Sequence, residues 1–191
     1  MAEKLKVLFA SAEVAPFAKV GGLGDVSGAL PISLSQNFGE ELDIRLIMPF
    51  HAEVKRKNPI HKKIGNFSFS ANGQKIECSL FVADLAGVPV YLLDNPDINH
   101  DSPIYHGDWR LDGMKYASFS LALLEAARYL DWRPDILHAN DWHTALAIYA
   151  LKTICRNDPF FANVKTVLSI HNLPYNGWGS QEAMTALGFA A

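Results

Sequence analysis

Short apolar runs alternate with amphipathic stretches along most of the chain. Continuous apolar runs at Lys6–Ser11 and Asp43–Met48 are typical of parallel strands that are buried on both faces. Periodic apolar positions after Gly24 predict a helix between them. A strand, a helix and a second strand in this order begin a doubly wound sheet, so the pattern predicts an α/β fold. The predicted buried face of the helix carries Val26, Ala29, Leu30, Ser33, Leu34 and Asn37.

The middle of the chain has a different pattern. Ile64–Ser70, Gln74–Ala83 and Val88–Leu93 are short runs rich in β-branched and aromatic residues. Asn72-Gly73 and Ala86-Gly87 separate them, and both dipeptides are turn signals. We therefore expect an antiparallel meander attached to the parallel sheet.

The second half returns to the strand and helix alternation after a polar segment, residues 95–112. Asp112 is the predicted N-cap of a long helix. Asp135–Ala139 reads as a buried strand and Val164–Ile170 as the last strand, with a helix over Trp142–Ile154 between them. The whole pattern predicts a single Rossmann-like domain over residues 1–191, with a mostly parallel doubly wound sheet.

Composition narrows the classes of function. The chain has 191 residues, of which 49% are hydrophobic and 19% charged, as expected for one globular domain with a sizeable core. The net charge of −3 and the lack of Lys/Arg blocks exclude the electrostatic signature of a nucleic-acid-binding protein. No apolar run reaches the roughly 20 residues of a membrane-spanning helix, so no membrane partner is expected.

The N-terminus and the cysteines predict a cytoplasmic location. Lys4 and Lys6 precede the apolar stretch 7–12, as in a secretory signal, but the stretch is short and Glu13 follows at once. A buried first strand is the better interpretation. Cys78 and Cys155 are far apart and form no CxxC pattern, which argues against a disulfide framework or a zinc site.

The first candidate for chemistry is a Gly-rich loop between the first strand and the first helix. Gly21 and Gly22 would allow backbone N–H groups to approach a phosphate, and Lys19 would add a mobile positive charge. The alternative is a tight turn with a solvated lysine. Neither the GxGxxG nor the P-loop spacing is present, so an NAD enzyme or an ATPase is not supported.

The second candidate is the sequence His138-Ala139-Asn140-Asp141-Trp142-His143, where a strand meets a helix. Ligands of open α/β sheets bind beyond the carboxyl ends of the strands, which is where these groups fall. Each residue also has a structural explanation: Asp141 as a helix N-cap, Trp142 in the core, and His138 satisfied at the strand end. No ligand spacing typical of a metal site is present.

The third candidate follows the last strand. His171 and Asn172 can hydrogen-bond sugar hydroxyls, and Tyr175 offers a face for stacking. The alternative is an Asn/Pro/Gly turn in which backbone groups satisfy His171. Because all three clusters follow separate strands, we expect them at one rim of the sheet.

Taken together, these clusters resemble glycosyltransferase family 5, the bacterial glycogen synthases and plant starch synthases. The resemblance covers nearly the whole chain, and four segments in this order make it specific. They are Val7–Phe17 (VLFASAEVAPF), Lys19–Val26 (KVGGLGDV), Arg133–Leu146 (RPDILHANDWHTAL) and Ser169–Gly177 (SIHNLPYNG).

The resemblance implies the N-terminal part of a two-domain GT-B enzyme. Such enzymes transfer glucose from ADP-glucose to the non-reducing end of an α-1,4-glucan, with retention and without a metal or other cofactor. The family continues well beyond residue 191, so we expect an incomplete domain without the C-terminal nucleotide-binding domain, inactive as an isolated chain. A non-catalytic glucan-binding or interaction module is the alternative, and a GT-B transferase for another nucleotide sugar a further one.

The resemblance also implies roles for particular residues. His171 matches the histidine beside the transferred glucose, and Asp141 an aspartate beneath the active site. The residues implied on the donor side are Lys19, Gly21, Gly22, Asp25 and Asn172. Those implied on the acceptor side are Tyr105, Trp109 and Tyr175.

One segment departs from the family pattern. Leu111–Tyr116 lies where the family usually has Asp-Asn-x-x-Arg-Phe, so that Leu111 replaces the first acid and Lys115 the arginine. Acceptor contacts are therefore in question there. A sheet that ended at Val164–Ile170 would also leave an unpaired edge, which predicts self-association.

Overall fold

The computed structural model describes residues 3–57, 61–98 and 102–189. Within them, seven strands form one sheet in the order β3-β4-β5-β2-β1-β6-β7. The strands are β1 (Leu5–Ala10), β2 (Leu42–Pro49), β3 (Lys62–Ala71), β4 (Gln74–Leu85), β5 (Val88–Asp94), β6 (Ile136–Asn140) and β7 (Lys165–Ser169). The α-helices are α1 (Gly22–Phe38), α2 (Ala52–Lys57), α3 (Trp109–Tyr129), α4 (Trp142–Lys152) and α5 (Gln181–Ala186), and a short 3-10 helix spans Pro96–Ile98.

Five neighbouring strands are parallel, as the sequence predicts. β1 pairs with β2 on one side and with β6 on the other, while β5 and β7 extend the parallel part outward. Ala10 is in register with Ala139, and Asn140 with Ser169. The loops after β1, β6 and β7 therefore leave the sheet at the same edge.

The predicted meander is confirmed. β3 pairs antiparallel with β4, and β4 antiparallel with β5. Asn72 (φ 47°) and Gly73 (φ 75°) form one two-residue turn, and Ala86 (φ 51°) and Gly87 (φ 87°) form the other. Positive φ at both central residues is the geometry of the tight hairpin turn that these dipeptides predict.

The core lies on both faces of the sheet. The packing of β1 explains why the sequence of this strand is continuously apolar. Val7 and Phe9 pack in one buried cluster, with residues of β2 and β5. Leu8 and Ala10 pack in the other cluster, against α3 and α4. Successive side chains of a strand point to opposite faces, so a strand covered on both sides needs apolar residues at every position.

The buried face of α1 differs from the prediction. The buried residues are Leu23, Gly24, Ser27, Gly28 and Pro31, whereas Val26 is 38% exposed. The helix approaches the loop after β1 so closely that a Cβ on Gly28 would lie 2.5 Å from the Ala15 carbonyl oxygen. Ser27 also donates a hydrogen bond to the Ser11 hydroxyl. Close packing selects small residues here, and apolar periodicity does not detect such a face.

The N-cap of α3 is also different from the prediction. The helix begins at Trp109, and Asp108 caps it by accepting hydrogen bonds from the N–H groups of Arg110 and Leu111. Asp112 lies one turn further along and is buried, so it does not cap. The predicted loop 95–112 therefore contains the helix start, and its residues 99–101 lie outside the described residues.

None of the helices in the described ranges is both long and apolar enough to span a membrane.

The change Asp108→Ala tests the corrected cap. Without the Asp108 carboxylate, the first N–H groups of α3 lose their side-chain hydrogen-bond acceptor. We therefore expect the free energy of unfolding to fall by about 1 kcal/mol. Urea unfolding followed by circular dichroism measures the change. Glu40→Ala, at an exposed position after α1, is the control and should leave the midpoint unchanged. Equal stability of the two variants would contradict the assignment.

Candidate active site

A cavity of about 660 Å³ lies at the carboxyl edge of β1, β6 and β7. All three candidate clusters contribute to its walls, which confirms that they converge. The predicted residues that line it are Gly21, Gly22, Tyr105, Trp109, Asp141, His171, Asn172 and Tyr175. Lys19 and Asp25 are not among its lining residues.

The carboxylate of Glu13 holds the Gly-rich loop in place. It accepts hydrogen bonds from the N–H groups of Val20 (2.6 Å) and Gly21 (2.9 Å), and from the hydroxyl of Tyr105 (2.5 Å). Glu13 is only 3% exposed. The N–H of Gly21 is thus engaged by Glu13 in this structure and does not face the cavity as an unoccupied donor. No local sequence pattern reveals this role of Glu13, because its partners are 7 to 92 positions away.

The start of α1 adds a partial positive charge to the same wall. The helix begins at Gly22, and both Gly22 and Leu23 line the cavity. The first N–H groups of a helix have no intrahelical acceptor, and the helix dipole adds partial positive charge there. A Cβ on either Gly21 or Gly22 would meet no atom within 4 Å, so these glycines keep space open beside the backbone.

Lys19 pairs with Asp25 at the side of the loop. Its ammonium nitrogen lies 2.7 Å from the Asp25 carboxylate, and both side chains are about half exposed. The stem of Lys19 packs on Gly24, where an added Cβ would lie 3.0 Å from Lys19 Cγ. Asp25 thus holds the side chain of Lys19 beside the loop, while contact between Lys19 and a phosphate stays a prediction.

Asp141 connects two loops instead of capping a helix. It stands at the N-cap position of α4, but its side chain makes no cap hydrogen bond. Its Oδ1 accepts from the N–H groups of His171 (2.7 Å) and Asn172 (3.3 Å). The backbone of Asp141 has φ 56° and ψ −176°, a region that residues other than glycine rarely adopt. The carboxylate thus fixes the loop after β7 to the end of β6.

The orientation of His171 follows from its neighbour Asn140. The Asn140 amide nitrogen donates to the carbonyl of Ala10 (3.0 Å), so its oxygen faces His171 Nε2 at 3.0 Å. This oxygen can only accept, so Nε2 of His171 carries a proton. In the neutral ring Nδ1 is then the acceptor. The fold thus sets both the position and the tautomer of this histidine.

His138 has the structural role that the sequence analysis considered. Its Nε2 is 2.8 Å from the hydroxyl of Ser169, and its ring packs edge-on against Phe9. Burial, together with the nearby His171, lowers its pKa. It is a satisfied strand-end residue and does not line the cavity.

Aromatic rings form a second wall of the cavity. His143 is buried and lies between Trp142, Tyr116 and Tyr105, with ring centroids 4.4, 4.6 and 5.2 Å away. Burial and the charge of Lys115 lower its pKa to about 3, so the ring is neutral. Its Nδ1 has no hydrogen-bond partner within the described part of the chain. Trp109 and Tyr175 continue this wall toward solvent, with 45% and 59% of their surface exposed.

Asp112 fixes the segment that carries Tyr105. It accepts hydrogen bonds from the backbone N–H of His106 and from His106 Nδ1 (2.9 Å), while Nε2 of that ring lies 3.4 Å from the Ser102 hydroxyl. The order resembles a Ser-His-Asp hydrolase triad. However, Ser102 is 2% exposed and does not line the cavity, so it has no access to a substrate. The three residues clamp the 102–107 segment to α3.

Lys115, which replaces the family arginine, is buried under the cavity. Its side chain is 0% exposed, and burial lowers its pKa to about 7 although Asp112 opposes the shift. The ammonium group lies 3.0 Å from His51 Nδ1 and 3.0 Å from the carbonyl of Ile104. The neighbouring Leu111 is 55% exposed. Lys115 therefore lies beneath the site and is not in position to contact a sugar acceptor in the cavity.

The described residues contain no group of three or more His, Cys, Asp or Glu side chains arranged to hold a metal ion. The functional groups of the cavity are a helix N-terminus, the carboxylates of Glu13, Asp112 and Asp141, an oriented imidazole and aromatic faces. Such groups can bind an anion at one end and a sugar ring at the other.

The change Lys115→Met tests the state of the buried lysine. The unfolded chain keeps the ordinary pKa of 10.5, so it binds more protons than the folded chain above pH 7. The free-energy penalty of burying Lys115 therefore falls as the pH rises in that window, and the free energy of unfolding increases by up to about 1.4 kcal/mol per pH unit. We expect the difference in unfolding free energy, wild type minus Lys115→Met, to increase between pH 7 and about pH 9. A difference that does not change with pH would show that Lys115 keeps its ordinary pKa.

Comparison with known proteins places the chain in one family. The model of the starch synthase catalytic domain matches residues 6–191. A glycogen synthase of Geotalea daltonii is 38% identical over 188 residues, which are 96% of this chain and 38% of the relative. A glycogen synthase of Clostridium novyi is 37% identical and covers 97% of this chain and 38% of its own length. The chain thus spans about two fifths of the length of these curated relatives.

A solved structure shares the fold. The catalytic domain of Starch Synthase IV from Arabidopsis thaliana, bound to ADP and acarbose, superposes with a TM-score of 0.86 at 23% sequence identity. The match covers 98% of this chain and 38% of that one, and it confirms the Rossmann-like sheet of a GT-B enzyme. The family model and the glycogen synthases at 37–38% identity lead to one assignment. The chain belongs to the starch synthase catalytic domain family.

Proposed function

We propose that this chain forms the N-terminal, acceptor-side part of a retaining glucosyltransferase. The reaction moves glucose from ADP-glucose to the non-reducing end of an α-1,4-glucan. The observation that carries the proposal is that a helix N-terminus, an oriented histidine and an aromatic wall all line one cavity. Relatives named glycogen synthase support the choice of reaction.

The Gly-rich wall is suited to the diphosphate of the donor. The departing diphosphate gathers negative charge in the transition state, and preorganised N–H dipoles stabilise it without reorganisation. The N-terminus of α1 at Gly22 supplies such dipoles, and Lys19 lies close enough in sequence to add a cation after leaving Asp25. These groups would meet the charge without a metal or a cofactor.

His171 and Asp141 are suited to the transferred glucose. The imidazole of His171 presents a defined tautomer because Asn140 holds Nε2–H, so its other nitrogen can accept from a sugar hydroxyl. Asp141 holds the His171 and Asn172 backbone at the cavity wall. We therefore assign His171 to direct contact with the sugar and Asp141 to positioning of that loop, with Asn172 beside the donor.

The aromatic wall is suited to the glucan. Sugar rings have apolar faces that stack on Tyr and Trp, and hydroxyls that need polar partners at the ring edge. Tyr105, Trp109 and Tyr175 offer such faces at the rim. The structural neighbour is described as bound to ADP and acarbose, which supports an oligosaccharide as a ligand of this fold. We also propose a cytoplasmic location for the chain. Cys78 and Cys155 are free thiols, which agrees with a reducing compartment.

A non-catalytic glucan-binding module is the second candidate. The aromatic wall and His171 lie within this chain, whereas the curated relatives are much longer than the part that matches. A chain that binds glucan but transfers no glucose would fit this candidate equally well. Activity measurements separate the two.

Trp109→Ala tests the acceptor wall. Loss of one stacking face should weaken binding of a maltooligosaccharide about tenfold. Isothermal titration calorimetry measures the dissociation constant. Phe38→Ala is a matched control, because Phe38 is 52% exposed at the end of α1 and does not line the cavity. Equal affinities of the two variants would place the glucan elsewhere.

An incorporation assay with radiolabelled ADP-glucose and glycogen distinguishes the candidates. We expect no transfer by this chain alone together with saturable oligosaccharide binding, as for an acceptor half. Transfer that is abolished by Lys19→Ala, but not by Lys165→Ala on β7, would mean that the chain assembles a working donor site. If the chain shows no glucose transfer and no oligosaccharide binding, both candidates are ruled out.

We also propose that the chain associates with itself through β7. Within the described residues β7 pairs with β6 on one side, and Val167 (43%), Leu168 (44%) and Ile170 (59%) are exposed beside it. A short apolar edge of this kind can pair with another copy. Light scattering should show the average mass rising with concentration, and Val167→Lys should suppress the rise. Ile154→Lys, at an exposed position in the turn after α4, should not. A concentration-independent monomer would refute the proposal.

A further inference from the structure

The mechanism proposed above leaves one buried polar cluster beneath the cavity without a role. It consists of Lys115 on α3, His51 after β2, and the backbone carbonyls of Ala12, Pro103 and Ile104. Both side chains are 0% exposed. Burying an ammonium group costs free energy unless every proton has an acceptor, so the arrangement calls for an explanation.

The protons of the cluster can be assigned. His51 Nε2 lies 2.8 Å from the carbonyl oxygen of Ala12, which can only accept, so Nε2 carries the ring proton. Burial and the charge of Lys115 hold the pKa of His51 well below its usual value, so the ring is neutral. Nδ1 is then an acceptor for the ammonium of Lys115. With the two carbonyls of the 102–107 segment, the three N–H groups of Lys115 have three acceptors.

These bonds join the two walls of the cavity from below. Lys115 holds the 102–107 segment through Pro103 and Ile104, and through His51 it reaches Ala12, the neighbour of Glu13. Above this layer, Tyr105 of the same segment donates to Glu13, which in turn holds the Gly-rich loop. Two hydrogen-bonded routes therefore run between the same two walls.

We infer that Lys115 is a positioning residue, whose protonated ammonium, relayed through His51, sets the distance between the Gly-rich loop and the 102–107 segment. An uncharged amine has only two N–H donors, so one of the three buried acceptors would lose its partner and the segment would shift. The inference concerns the shape of the cavity and holds for any ligand. Only the binding arm of its test rests on the proposed function.

The surroundings leave Lys115 as the group that changes charge in this layer. Asp112, from the first turn of α3, favours the ammonium, and Lys55 of α2 opposes it. Burial lowers the pKa values of His51 and His143, which keeps both rings neutral. Burial also raises the pKa values of Tyr105 and Tyr116, which keeps both hydroxyls protonated.

The test is nuclear magnetic resonance of the ligand-free chain. The amide protons of Val20 and Gly21 report their hydrogen bonds to Glu13, and the ring nitrogens of His51 report its tautomer. We expect Lys115→Met to shift both amides upfield and to release His51 Nδ1 from its hydrogen bond. Lys115→Arg, which keeps the charge and several donors, should restore the wild-type amide shifts at least in part. Unchanged Val20 and Gly21 amides in Lys115→Met would overturn the inference.

Tyr116→Phe is the matched control. It removes a hydrogen bond to the same carbonyl of Ile104 (2.6 Å) but leaves the link from Lys115 to His51 intact. It should therefore perturb the 102–107 segment without releasing His51 or shifting Val20 and Gly21. If it shifts those two amides as strongly as Lys115→Met does, any loosening of the segment is sufficient and the assigned role of Lys115 is wrong.

The wild-type chain provides a test that requires no variant. With lysine labelled at Cε, the titration of Lys115 can be followed by its own resonance as the pH is raised. The Val20 and Gly21 amides should move with the same midpoint. Amides that stay constant while Lys115 loses its proton would overturn the inference, even if Lys115→Met does not fold.

Ligand binding separates this inference from the proposed function. Lys115→Met should bind a maltooligosaccharide about tenfold more weakly than the wild type, since small displacements of a wall cost binding energy. If no variant and no wild-type sample binds the oligosaccharide, the proposed function fails. The amide and imidazole shifts would still decide the role of Lys115.

Discussion

Three segments of the chain meet at the carboxylate of Glu13. It accepts from two N–H groups of the Gly-rich loop and from the hydroxyl of Tyr105, and it is almost fully buried at the end of β1. A buried carboxylate needs such donors, and each donor comes from a wall of the cavity. The start of α1, the position of Tyr105 and the opening between them therefore depend on this one group. Even Gly24 is constrained by it, since an added Cβ would lie 3.2 Å from Glu13 Oε2.

The polar residues of the site are held by one another as well as by the scaffold. Asn140 orients His171, Asp141 fixes the backbone after β7, and Asp112 clamps the segment that carries Tyr105. Asp141 does so with a backbone conformation that is unfavourable for any residue except glycine. Buried polar groups and local strain lower stability, and they concentrate where geometry matters for function. Their concentration at one edge of the sheet is a physical argument for a site there.

The cavity has two chemically different sides. The first N–H groups of α1 favour negative charge beside the Gly-rich loop, whose own N–H groups at Val20 and Gly21 are engaged by Glu13. The wall of Tyr105, Trp109 and Tyr175 offers flat apolar faces instead. Neutral His143 packs within the aromatic wall, so that wall carries no charge there. Such a division suits the ligand that we propose, which carries both an anionic group and sugar rings. Membership of the starch synthase catalytic domain family agrees with this division.

The sequence by itself determined the strands, the meander and the rim on which the site is built. Apolar runs and turn dipeptides are local signals, and the ends of parallel strands must meet at one edge, so His138–His143 and the residues after β7 could be placed together before the fold was known. Tertiary structure decided the rest, because it depends on partners distant in sequence. The close approach of the backbone at Gly28 determines which face of α1 is buried. Asp108 caps α3, whereas Asp112 accepts a hydrogen bond from His106. Glu13, Lys115 and His51 acquire their roles only from groups far along the chain, which no local pattern encodes.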